Sequence, residues 1–355
     1  MSEMEARRAK RKTLWQLAYI FVTLLVLLLL GVFNPEIAPL FQGKLTLRSS
    51  WMLLCAAAMI GFWLLQTLVY HMAAKVVDVR IPLHRSLKVM MFGEYYSAVT
   101  PFASGGQPMQ LGYYRRYGVS AAKGTSILAL RYIGYLTAIC LCFLVAFAAQ
   151  GQRILAEHPV VFWLTALGFA VNLVSVLLVA LLLFRRSMVE RAGAWVIGLL
   201  CKLPWFKNRR EQWLEKFARG ADEFAQAAEC IRQKPALCLA LLLTSLLSVA
   251  SQFSVAYFVY RSVGLDAAGY FELFSMQIYL YLAVSFVPTP GATGASEGGF
   301  YLFFAMLFPQ SLLFSAMLLW RLFTYYSNLL IGAVLVVWDE LRAMSKRKQK
   351  ARAES

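Results

Sequence analysis

Apolar residues in this chain come in blocks of about 20 or more, far longer than the stripe of an amphipathic helix, and basic residues collect in the gaps between blocks. About 20 apolar residues cross the hydrocarbon core of a bilayer as one helix. The blocks therefore predict six spanning helices, over 14–33, 51–77, 125–149, 159–184, 235–259 and 311–338. Two further apolar stretches, 89–114 and 271–309, are interrupted in the middle. Thr100-Pro101 and Gly105-Gly106 break the first, and the sequence PTPGATGASEGG breaks the second. A backbone broken at membrane depth persists only where protein or a water-filled cavity satisfies its freed N–H and C=O groups. Both breaks are therefore expected to line an internal site.

Basic residues set the expected orientation, because cytoplasmic loops carry an excess of Lys and Arg. Arg7, Arg8, Lys10, Arg11 and Lys12 precede the first block, which is too long for a signal-peptide core and reads as an uncleaved span. Lys75, Arg80, Arg85 and Lys88 lie before the first broken stretch, and Arg115, Arg116 and Lys123 lie after it, so both its ends are cytoplasmic and it is a re-entrant hairpin. The second broken stretch has basic-poor flanks and enters from outside. Lys44, Arg48, Arg153 and Arg261 fall in the outer loops, Arg131 and Arg321 fall within spans, and the remaining Lys and Arg are inside. The expectation is an all-α polytopic membrane protein with both termini cytoplasmic. Its single domain, 1–340, holds two inverted repeats, 51–149 and 235–338. Between them, 185–234 carries Trp213, Phe217, Phe224 and Ile231 at helical spacing among many charges. It reads as cytoplasmic amphipathic helices lying on the membrane surface. A basic tail, 341–355, follows.

Composition agrees with the pattern: 60% of residues are hydrophobic, 15% are charged and the mean hydropathy is +0.61. A net charge of +17 would fit a nucleic-acid partner only if it formed a solvated basic face. Here it sits in loops beside spans, so anionic phospholipid headgroups are the expected partner and nucleic acid is not. The six cysteines form no C-x-x-C, which supports neither a metal site nor a disulfide framework. Neither a P-loop nor H-E-x-x-H occurs, and no cofactor is implied. Gly294-Ala-Ser-Glu-Gly298 matches G-x-S-x-G, but a nucleophile elbow needs a strand-to-helix turn and a histidine, and His71, His84 and His158 fall near span ends.

The two breaks match each other. Thr100-Pro101-Phe102-Ala103-Ser104-Gly105-Gly106 lies over Thr289-Pro290-Gly291-Ala292-Thr293-Gly294-Ala295, and Arg131 and Arg321 follow 31 and 32 residues after the two threonines. Paired interruptions in two halves point to a transporter's binding site. A mid-membrane arginine faces the protein interior and marks a pathway, unless it is a structural ion pair with Glu94 or Glu297. Glu297 has two readings: a cap on the returning half-helix, or a partner that releases an arginine when substrate arrives. Ser104 to Gln107 has the form of a capping box, and Pro108 suits a first helical turn. Free N–H groups beside arginine make an anion site, with Gln107, Gln110, Ser104 and Thr293 at its edges. Pro101, Gly105, Gly106, Pro288, Pro290, Gly291, Gly294 and Gly298 shape the turns, and Gly294 and Gly298 also form a G-x-x-x-G helix-packing motif.

The stretch TPFASGGQPMQLGYY with Arg115, Arg116 and Gly118, together with PTPGATGASEGG and the later arginine, resembles the lysylphosphatidylglycerol synthase transmembrane family, the flippase-like half of multiple peptide resistance factor. The resemblance spans nearly the whole chain. It implies a bacterial plasma-membrane protein that moves a phospholipid such as lysyl-phosphatidylglycerol from the inner to the outer leaflet. It also marks Pro101, Gly105, Gly106, Gln107, Pro108, Gln110, Pro288, Pro290, Gly294, Glu297 and Gly298 as motif positions. Ala292 and Ala295 depart from it, standing where relatives often have glycine. Full-length synthases of the family append a large soluble catalytic domain, and here only 17 residues follow Trp338. The expectation is therefore a translocase without transferase activity, with a separate lipid synthase as a possible partner. A membrane-embedded lipid-modifying enzyme, including a partner-dependent aminoacyl transferase, and a small-solute transporter are the alternatives.

Overall fold

The computed structural model describes residues 47–185, 188, 222–223 and 225–353. The expected first span, 14–33, and most of the amphipathic segment lie outside them. Among the described residues every regular element is helical. The first repeat comprises α1 (Ser49–Val76), α2 (Leu83–Ala98), a 3₁₀ turn (Pro101–Ala103), α3 (Gly106–Arg116) and α4 (Ala121–Glu157). After α5 (Pro159–Phe184), the second repeat runs through α6 (Pro235–Ser262), α7 (Tyr270–Val284), a second 3₁₀ turn (Pro290–Ala292), α8 (Ala295–Phe304), α9 (Gln310–Arg321) and α10 (Ser327–Ala353). Pro159 and Pro235 open their helices at the position where a missing N–H costs nothing.

Among the described residues five helical stretches are long and apolar enough to cross a membrane: Ser49–Val76, Ala121–Gln152, Pro159–Phe184, Pro235–Ser262 and Gln310–Asp339. They coincide with expected spans two to six. Two details differ from the sequence reading. Helix α4 continues to Glu157 and only His158 separates it from α5, so the loop expected around Arg153 is helical. The last span is not uniform: a π turn, Leu322–Tyr326, interrupts it directly after Arg321.

Helices α1 and α6 form the central pair, and their contacts fix them antiparallel. Arg48 N–H donates to the Ser262 carbonyl at 2.9 Å, Ser251 Oγ to the Ala58 carbonyl at 2.7 Å, and Gln66 Nε2 to Ser248 Oγ at 2.8 Å. Small residues permit the approach, since a Cβ at Gly61 would lie 2.8 Å from Ser251 Oγ. At the other end Lys234 Nζ caps α1 by donating to the carbonyls of Lys75 and Val76 and to Asp78. Just before it, Ala227 and Ile231 share a core cluster with Val76 and Leu183. This end of the amphipathic segment therefore buries its apolar face on protein rather than on a membrane surface.

Each broken stretch folds back on itself. Gly106 lies against Ser97 and Gly93 against Gln110, which sets α2 and α3 antiparallel, and Gly299 packs on Leu280 between α7 and α8. One helix pair follows the end of α1 and the other follows the end of α6. Because α1 and α6 run oppositely, the pairs open toward opposite ends of the molecule, and their 3₁₀ tips pack on each other between them. That is the inverted arrangement expected from the charges.

Candidate functional site

The two tips share one backbone. Phe102 and Ala103 have φ of 54° and 53°, and Gly291 and Ala292 have 60° and 50°. Left-handed residues other than glycine cost about 1–2 kcal/mol each, so the first tip carries strain that Gly291 avoids in the second. Gly291 is required for space as well: a Cβ there would sit 2.2 Å from the Tyr325 ring. Threonines tie the turns. Thr100 Oγ1 accepts from Gly105 N–H at 2.9 Å, and Thr293 Oγ1 donates to the Pro290 carbonyl at 2.7 Å.

Several expected site residues serve these turns and helix pairs. The capping box at Ser104 is not formed: the N-cap of α3 is Gly105, and its N–H is satisfied by Thr100 instead. Ser104 and Gln107 are exposed, and Pro108 is the third residue of α3. Gln110 is buried between helices, donating to Tyr70 Oη at 2.6 Å and to the Val89 carbonyl at 3.3 Å. The G-x-x-x-G packing reading also fails, since a Cβ at Gly294 or Gly298 would meet open space, and Gly299 is the packed residue.

Both intramembrane arginines are paired, in different ways. Arg131 Nη2 lies 3.4 Å from Glu94 Oε1, and its Nε and Nη2 each donate to Gln66 Oε1 at 3.3 Å. Its guanidinium stands over the rings of Tyr70 on α1 and Tyr135 on α4. Arg321 is 4% exposed and its Nε donates to Glu297 Oε1 at 2.7 Å. The other oxygen of Glu297 accepts the Gly294 N–H at 2.6 Å. Glu297 is thus helix cap and ion-pair partner at once. An uncompensated arginine at mid-membrane would cost at least about 2.5–3.5 kcal/mol, and Glu297 offsets it. The remaining edge of the guanidinium, Nη1 and Nη2, reaches only the Gly291 carbonyl, at 3.3 Å each. That is long for a charge-assisted bond.

A cavity of about 280 Å³ opens where the tips meet. Phe102 and Ala103 line it from the first tip, Thr289, Gly291 and Ala292 from the second, and Arg321, Thr324 and Tyr325 from the last span. Of the residues singled out in the sequence as site or hinge positions, Gly291 and Arg321 line it, with Glu297 behind Arg321. Arg131, Glu94, Gln107, Gln110, Ser104 and Thr293 do not. Sequence reasoning missed Gln252, Gln277, Tyr281 and Ser296. The two glutamines had a signal, as amides placed deep within apolar blocks. Ser296 lines the cavity with no histidine beside it, so the G-x-S-x-G match gains no base. Among the described residues no group of three or more His, Cys, Asp and Glu is placed to hold a metal ion.

Residues 14–332 match the family described as the lysylphosphatidylglycerol synthase TM region. The chain belongs to this family. A UPF0104 membrane protein of Archaeoglobus fulgidus is 25% identical over 319 residues, covering 85% of this chain and 91% of that protein. The family match is to a transmembrane region, and the relative's name states a membrane protein without an activity. The chain is thus a multi-pass membrane protein of the lysylphosphatidylglycerol synthase transmembrane family, and its paired tips and the ion-paired Arg131 and Arg321 lie within the matched region.

Proposed function

We propose that the chain is a phospholipid translocase, moving an anionic or aminoacylated phospholipid such as lysyl-phosphatidylglycerol between the leaflets of a bacterial plasma membrane. In this reading the two helix pairs are re-entrant hairpins entering from opposite faces. The headgroup passes through the cavity between their tips while the acyl chains stay in lipid. One observation carries it: a guanidinium, almost wholly buried where two inverted helix pairs meet and weakly held along one edge, lines a cavity of headgroup size. At about 280 Å³ the cavity stands at the small end of ligand pockets, which run from about 300 to 1,000 Å³, a size suited to a headgroup rather than to a whole lipid. Nucleotide-driven transport is not part of the reading, and a separate synthase would supply any aminoacylated lipid.

The test is purified protein in liposomes, followed by leaflet and by mass. A translocase moves lipid between leaflets and leaves every lipid mass unchanged. A new lipid mass would replace this reading with that of a lipid-modifying enzyme, and movement of a small solute without lipid would replace it with a transporter.

A further inference from the structure

Within the translocase reading, on which this step rests, the lining of the cavity bears on which headgroup it takes. Among the described residues Arg321 is the one charged group lining the cavity, and no carboxylate does. Glu297, the nearest acid, has one oxygen on Arg321 Nε and the other on Gly294 N–H, so it is committed on both sides. Glu94 is held at Arg131 and is not itself part of the lining.

The other polar groups of the lining are neutral: the amides of Gln252 and Gln277 and the hydroxyls of Thr289, Ser285, Ser296 and Thr324. Gln277 is 5% exposed and its Oε1 is buried with no hydrogen-bond partner. Aromatic faces can hold ammonium groups, and Phe102, Phe253, Tyr281, Trp320 and Tyr325 line the cavity. The faces of Trp320 and Tyr325 already carry the resident guanidinium, at 5.3 and 5.0 Å from the ring centroids. A second cation in the cavity would sit beside Arg321 with no carboxylate on the lining to neutralise it.

We infer that the cavity selects a phosphodiester headgroup bearing hydroxyls, of the phosphatidylglycerol kind, and disfavours the same headgroup carrying a lysyl ester. The phosphate takes the Nη1 and Nη2 edge of Arg321 in a bidentate pair, exchanging the long bonds to the Gly291 carbonyl for short charge-assisted ones. Nε stays on Glu297, so loading does not require the internal ion pair to break. The glycerol hydroxyls meet amides and hydroxyls that both donate and accept. Two ammonium groups in the same place find neutral acceptors but no carboxylate and lie beside the Arg321 cation, and like-charge juxtaposition suppresses the wrong partner.

The experiment uses the full chain in liposomes of neutral phospholipid doped with either phosphatidylglycerol or lysyl-phosphatidylglycerol. Transfer is read by leaflet-selective chemical modification of each headgroup. Phosphatidylglycerol is expected to cross roughly tenfold faster than its lysyl ester. Gln252→Glu, which places a carboxylate on the lining at nearly constant volume, is expected to erase or reverse that preference. Lysyl-phosphatidylglycerol crossing as fast as phosphatidylglycerol or faster would overturn the inference and leave the translocase reading standing. So would an unchanged preference in a folded Gln252→Glu protein. Transfer of neither lipid would overturn the translocase reading itself.

Discussion

A single carboxylate decides how Arg321 behaves. Glu297 holds Nε at 2.7 Å and caps α8 through Gly294, leaving the opposite edge of the guanidinium on a neutral carbonyl. In the translocase proposal its role is to aim the arginine rather than to compete with substrate for it. Glutamine at this position can accept only one of the two bonds, and its amide N–H₂ must then face another donor. Glu297→Gln is expected to cost about 1–3 kcal/mol of stability and to weaken, not tighten, binding of phosphatidylglycerol. Melting temperature and lipid affinity on the same purified variant check this, and tighter binding would restore the view of Glu297 as a competing gate. The sequence made this residue legible because a glutamate in an apolar block needs a partner. It did not show which bond the second oxygen makes, since that depends on where the chain turns after Gly294. Arg131 and Arg321 looked equivalent in sequence. The structure separates them, because Arg131 finds Gln66 one helix away and Arg321 finds the tip itself.

At the scale of elements, the spans and the two breaks were legible because membrane depth imposes length and forbids unsatisfied backbone. The π turn was not, because nothing in Leu322–Tyr326 interrupts the apolar run. Such turns often mark functional sites, and this one brings Thr324 and Tyr325 onto the cavity. The shared left-handed tips give a matched pair of substitutions. Gly291→Ala meets the Tyr325 ring in a conformation that alanine resists, so it is expected to destabilise by about 1–3 kcal/mol. Phe102→Gly at the equivalent position relieves strain and is expected to raise stability by up to about 1 kcal/mol, an exposed phenyl being lost. Thermal melts of both proteins in one detergent read the comparison. Equal losses would mean that the two tips do not share their backbone.

At the scale of the molecule, loop charge and the matched breaks together predict the inverted arrangement, and within the described residues α1 and α6 are antiparallel and the helix pairs open oppositely. The basic loops predict the orientation in the membrane. In a cysteine-free background, a cysteine at Asp266 is expected to react with an impermeant reagent from outside, and one at Arg80 only after permeabilisation. The reverse pattern would invert the topology. What the sequence could not supply was the inequality of the halves: one arginine is committed to packing, the other to a cavity.

The central claim is that Arg321 at the meeting tips carries the lipid headgroup. Leaflet-resolved transfer of phosphatidylglycerol in liposomes tests it most directly, with protein levels matched among wild type, Arg321→Ala and the double variant Arg131→Leu, Glu94→Gln. The account expects Arg321→Ala to lose transfer. It expects the double variant, whose buried pair is replaced as a unit, to keep most of it. Full transfer by a folded Arg321→Ala protein would contradict the account.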